Sequence, residues 1–173
     1  MEYKDILKNE MGDYYDEKLI ENLENMGFFE APASTKFHGN YRGGLFQHSL
    51  EVMRQLVCLT KNNALSWEDP RSPYIVGLLH DLCKYDQYSV RLDGKIEWIN
   101  DQEYSGHGEK SAILCLVKLG LDLTEEESLC IRWHMGAFDE KEKWNGYTKA
   151  IHKYPNVLWT HTADMLASHV VGI

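Results

Sequence analysis

Apolar residues recur at helical spacing in several separate stretches of the chain. From about Asp16 to Met26, Leu19, Ile20, Leu23 and Met26 share one face and Gly27 follows as a stop, which predicts a helix. Residues 30–44 carry Pro32 and Gly39, Gly43 and Gly44, and read as a loop leading into a longer helix. That helix, from about Leu45 to Asn62, has a stripe of Leu45, His48, Val52, Leu56 and Leu59. Ser72-Pro73 reads as an N-cap followed by proline at the first helical position, opening a short helix that ends near Lys84. The period then changes to alternation. Residues 88–92 and 95–99 flank Asp93-Gly94, the signature of a hairpin with a two-residue turn.

Helical spacing returns from Glu109 to Leu119, with Gly120 as its stop. Thr124 and Glu127 form a capping box that starts a helix reaching about Met135. Residues 136–150, with Gly136 and Gly146, read as a polar loop, and Asn156 is placed as the cap of a last helix to Val171. The prediction is an all-α bundle with one small β-hairpin. At 173 residues and 20.1 kDa it fits a single domain over 1–173, with residues 1–30 as an N-terminal helical extension.

Composition narrows the function classes. Hydrophobic residues make up 43% and charged residues 26%, which excludes a disordered chain. The net charge of −9 repels a phosphate backbone, so no long nucleic acid is expected as partner. Apolar runs such as Ala112 to Val117 fall far below the roughly 20 residues of a membrane span, and charge at residues 2–5 argues against a signal peptide. Cys58, Cys83, Cys115 and Cys130 make no Cys-x-x-Cys pair and lie in apolar helical patterns, so reduced core thiols in a cytoplasmic protein are expected.

The candidate chemistry lies in histidines on apolar faces. His48 interrupts the stripe of its helix. His80 sits among Val76, Gly77 and Cys83, and His134 follows Cys130 and Ile131 by one turn, while His107 stands just before a helix. Buried imidazoles need partners, and a metal ion accepts several at once. Asp81 follows His80 directly in an apolar stretch, and Asp164 is a lone acid within an apolar helix. A buried carboxylate without a cation or donor costs several kcal/mol.

The order His48, His80-Asp81, His107, His134, Asp164 resembles the HD-domain superfamily of metal-dependent phosphohydrolases, in its six-ligand subset. Lys84, third after Asp81, completes a likeness to that family's His-Asp-x-x-Lys motif, and Tyr41 to His48 is similar to the entry of its first ligand helix. No Gly-Tyr-Pro follows, unlike the HD-GYP enzymes. The resemblance covers about residues 36–171 and implies an HD-type helical bundle. It implies His48, His80, Asp81 and Asp164 on one metal, with Asp81 bridging to a second held by His107 and His134. Two divalent ions are expected, of Mn, Fe, Ni, Co or Zn, with Mg as a further candidate. The implied activity is hydrolysis of a nucleotide or related small phosphate ester by a hydroxide held between the metals, with Asp81 and Lys84 as catalytic residues and Lys84 and Arg42 orienting the phosphate. Two alternatives share the ligand set: a diiron oxygenase of the same superfamily, and a non-catalytic nucleotide-binding module.

Around these residues, Thr160 and Ser168 flank Asp164 by one turn on either side and are candidates to bond its oxygens, and His161 is a weaker one. His38 shares the loop of Arg42. Trp133 is expected to pack in the core, Cys83 to be a packed thiol, and Glu125 to Glu127 to serve the helix dipole.

Overall fold

Helix ends and close helix crossings set the architecture of the computed structural model, which describes residues 3–37, 39–91, 93–99, 106–138 and 141–173. Among the described residues the helices are α1 (Tyr3–Met11), α2 (Glu17–Met26), α3 (Gly44–Asn62), α4 (Ser72–Leu79), α5 (His107–Val117), α6 (Glu125–Arg132), α7 (Trp144–Lys153) and α8 (Asn156–Met165). Strands β1 (Tyr88–Val90) and β2 (Ile96–Trp98) form one antiparallel hairpin. A 3-10 turn, Leu82–Asp86, follows α4, and α8 runs on into a wider π-helical turn, Leu166–Val171. The all-α class with a small hairpin is therefore observed. No helix is long and apolar enough to cross a membrane, among the described residues.

Local signals account for most of the element ends. Asp16 caps α2 by accepting from the amides of Lys18 (2.9 Å) and Leu19 (3.2 Å). Thr124 and Glu127 make the reciprocal capping box of α6. Glu127 does more than serve the dipole. It is fully buried, accepts the Ser72 hydroxyl at 3.1 Å and lies 3.4 Å from the Arg71 guanidinium, so it ties the start of α4 to the start of α6. Glu126, also buried, accepts from the Glu68 amide and the Asn156 side chain.

One apolar core runs through the molecule. It joins Leu7 and Met11 of α1, Leu19, Ile20 and Leu23 of α2, and Leu45, Val52, Met53 and Leu56 of α3 to Ile75, Val76 and Leu79 of α4 and Ile131 of α6. The residues of the N-terminal extension thus pack into the same core as those that follow. Helix α3 is central and lies against α4 and α8. Its crossing with α4 depends on Gly77, where a Cβ would stand 2.4 Å from the Met53 Cα.

Several expectations are corrected. Ser72 is the first residue of α4, not its cap; its hydroxyl is turned to Glu127 instead. Helix α4 ends at Leu79, before Lys84, because the chain turns at Asp81 (φ −107°, ψ 23°) into the 3-10 turn. The hairpin register pairs Val90 with Ile96, and the Arg91 amide donates to Lys95 O, so three residues (92–94), not two, separate the paired ends. Gly94 takes the left-handed conformation (φ +80°) that such a turn requires. Helix α6 stops at Arg132, short of Met135. Residues 144–153, read as loop, form α7: Trp144, Tyr147 and Ile151 have helical spacing, and Gly146 is there because the Trp133 ring occupies the space of a Cβ. Asn156 opens α8 without capping it, since its amide donates to Ser66 O and Glu126. Cys58 is exposed, whereas Cys83, Cys115 and Cys130 are buried thiols.

Substituting Gly77→Ala forces α3 and α4 apart where backbone meets backbone. The expected loss is about 3 kcal/mol, the upper end of overpacking costs, read as a lower urea midpoint with an unchanged slope. An unchanged midpoint would show that the crossing has room for a methyl group.

Candidate metal centre

The chain brings its polar residues together at the ends of helical segments. His48 projects from the second turn of α3 into the core. His80 directly follows α4, and the turn at Asp81 swings that carboxylate back over the imidazole, so that Asp81 Oδ2 lies 3.5 Å from His80 Nε2. His134 lies in the turn after α6, and Asp164 in the last turn of α8. His48, His80 and His134 are fully buried, and Asp81 and Asp164 are 2% and 6% exposed.

Each of these imidazoles is anchored at Nδ1 by a backbone carbonyl. His80 donates to Gly77 O (2.9 Å), His134 to Ile131 O (2.8 Å) and His48 to Ile173 O (3.0 Å). A carbonyl only accepts, so the proton of each neutral ring sits on Nδ1 and the Nε2 lone pair is left to face inward. Gly77 and Ile131 belong to the last turns of α4 and α6, whose carbonyls otherwise lack intrahelical partners.

The inward atoms converge. His48 Nε2 and His80 Nε2 are 3.2 Å apart, and His48 Nε2 is 3.3 Å from Asp164 Oδ1. The two oxygens of Asp81 look in different directions. Oδ2 faces His48 (3.6 Å), His80 (3.5 Å) and the Lys84 ammonium (2.6 Å), while Oδ1 faces His134 Nε2 (3.4 Å). Asp81 Oδ1 and His134 Nε2 are buried without a hydrogen bond. Two donor sets result, His48–His80–Asp164 and His80–Asp81–His134, each with one atom per residue within 4.8 Å of the others.

Electrostatics favour the metal-binding form of His80, Asp81 and Asp164, whereas Asp81 raises the His134 pKa against burial. Burial pulls the His80 pKa down to about 4, against the pull of Asp81, so the ring is neutral near pH 7. Burial pushes Asp81 upward, but Lys84, His80 and His134 hold its carboxyl well below the usual range. Asp164 is held low against burial by its contact with His48 and by the other histidines. The Cys83 thiol, pushed up to about 12 by burial and by Asp81, is no nucleophile.

Five of the six expected ligands thus meet. His107, the first residue of α5, is half-buried beside them, with Nδ1 3.5 Å from Cys83 Sγ and its ring 6.5 Å from Trp98. Lys84 stands on Asp81. Arg42 lies on the exposed loop, ion-paired with Glu30. Ser168 donates to Asp164 Oδ1 at 3.0 Å, whereas Thr160 turns to Asn156 O. His161 Nδ1 bonds His134 O at 2.7 Å, behind the ligand. Trp133 packs half-buried against the core with the Arg132 guanidinium 4.1 Å from its ring centre. His38 lies outside the described residues. The anchoring carbonyls have no sequence signal; for Gly77 and Ile131, the i−3 position before a histidine at a helix end is the pattern that could have found them.

No protein-family model, curated protein or solved structure matches the chain. The fit to a metal is a matter of the residues themselves. Facing imidazole lone pairs and two carboxylates, all buried, repel one another unless positive charge lies between them. Mixed nitrogen and oxygen donors suit a divalent transition ion.

Zn²⁺, Co²⁺ or Mn²⁺ is therefore expected to raise the thermal midpoint of chelator-treated protein. The gain is about 2.7 kcal/mol at a hundredfold excess over Kd, and Asp81→Ala should lose most of it. A midpoint indifferent to all three ions would remove the metal from the site.

Proposed function

We propose that this chain is a metal-dependent phosphohydrolase of the HD type, holding two divalent ions and acting on a nucleotide or a related small phosphate ester. The observation that carries the reading is Asp81, whose two oxygens face different histidines, Oδ2 towards His48 and His80 and Oδ1 towards His134. A carboxylate so placed is suited to join two cations. His48, His80, Asp81 and Asp164 would hold one ion, and Asp81 and His134 would reach the other, with His107 nearby to complete it. Divalent ions, when bound, supply positive charge for phosphoryl oxygens and make water ionise near neutral pH.

The chain's own residues set the conditions for that chemistry. The carbonyls of Gly77, Ile131 and Ile173 fix the ring orientations, so the donors do not have to reorganise. Burial of the centre excludes bulk water and strengthens its charges. The Lys84 ammonium is the positive group available to a substrate phosphate. The net charge of −9 favours a small anion over a long polyanion, which the acidic chain as a whole repels. Arg42, engaged with Glu30 on the surface, is not needed for this reading.

Metal analysis of protein purified without chelator, followed by phosphate release from nucleotides with Mn²⁺, Ni²⁺ or Mg²⁺, tests the proposal. Two equivalents of metal and release that falls to background in Asp81→Ala and Asp164→Ala are expected. Metal-loaded protein inert towards every phosphate ester, or an iron form that consumes O₂, would overturn it.

A further inference from the structure

Lys84 holds a carboxylate oxygen that a metal would use. Its ammonium lies 2.6 Å from Asp81 Oδ2, the same oxygen that His48 and His80 face. Among the described residues it is the one lysine or arginine paired with a carboxylate of the centre. It reaches there from the 3-10 turn Leu82–Asp86 on a flexible four-carbon stem, and its side chain keeps 14% exposure where that of Asp81 keeps 3%. The stem is inside, but a way out exists.

We infer that Lys84 is a built-in stand-in for the metal: its ammonium neutralises Asp81 while the site is empty of cations, and metal binding displaces it towards the rim, where it becomes the anion-binding arm for substrate. This rests on the metal reading of the site. A dication on Asp81 Oδ2 would share that oxygen with the ammonium, which lies 2.6 Å from it. Like charges that close repel strongly in a water-poor site, so both do not hold the oxygen together. Lys84 shields the buried carboxylate during folding, when no metal is present, and competes with the metal afterwards. Loading the metal and arming the substrate site are then one event.

The test compares Zn²⁺ affinity, by competition with a chromophoric chelator, for the whole wild-type chain and Lys84→Gln. Removing the competitor should tighten Zn²⁺ binding by about tenfold, the weight of one buried charge-assisted hydrogen bond. Inorganic phosphate should bind the zinc-loaded wild type more tightly than zinc-loaded Lys84→Gln. A variant that binds Zn²⁺ equally or more weakly would overturn the inference, because a lysine that stays on Asp81 supports the metal from behind. Equal phosphate affinities would overturn the role as anion arm. Wild-type protein that binds no Zn²⁺ overturns the metal reading itself, a distinct result. Should Lys84→Gln fail to fold, nitrogen-15 NMR of the wild-type ammonium decides. A slowly exchanging Lys84 signal that vanishes on adding Zn²⁺ is expected, and one that persists overturns the displacement.

Discussion

Charge without water is the constraint from which the rest of this molecule can be read. His48, His80 and His134 present their Nε2 atoms to Asp81 and Asp164 in a space that solvent barely reaches. Electron-rich atoms packed at such distances attract nothing but a cation. The protein meets this need in part with Lys84. It leaves Asp81 Oδ1 and His134 Nε2 without a hydrogen bond, two of the five such buried side-chain atoms among the described residues and the two that face each other. A chain shaped by stability alone gains by filling such a space with apolar side chains, since buried charge clusters are seldom net stabilising. The buried histidines and aspartates are gathered at this one cluster, and that is where binding is to be sought.

The surrounding packing is what holds the cluster in place. His48 comes from α3 and His80 from the end of α4, so their 3.2 Å separation is a property of the α3–α4 crossing. Gly77 serves that crossing twice. Its missing side chain lets the helices approach, and its carbonyl anchors the His80 ring. On the far side, the π-helical turn after α8 carries Ser168 onto Asp164 and leads to the Ile173 carbonyl on His48. Core and site are therefore one mechanical unit, in which a displaced helix is a displaced ligand.

Much of this was legible in the chain because it depends on local pattern. The apolar stripes of α2 and α3, the capping box at Thr124 and Glu127, and the histidines set on inward faces are all short-range signals. So was the set of five residues that meet, since each was out of keeping with its apolar neighbours. What could not be read was long-range. Ser72 is a good cap by type, yet its hydroxyl goes to Glu127, 55 residues away. Helix α7 was hidden because Gly146 serves the Trp133 ring rather than a turn. The register of the hairpin turned on one hydrogen bond between Arg91 and Lys95. His107 has the right residue type and order, but its ring faces the Cys83 thiol, which no spacing rule foretells.

The location of the site at helix ends joins these observations. The carbonyls that hold His80 and His134 come from the final turns of α4 and α6, and the helix macrodipole places partial negative charge at such ends. Each histidine thus solves two problems. Its Nδ1 proton satisfies a carbonyl that the helix cannot, and its Nε2 carries the lone pair into the centre. Two helix C-termini and two carboxylates add up to a field that selects for positive charge over any neutral partner. Among the neighbouring helix ends, the N-terminus of α5 at His107 works the other way and favours an anion. The direction in which α4 and α6 run therefore adds to the case that the ligands themselves make for a cation at the centre.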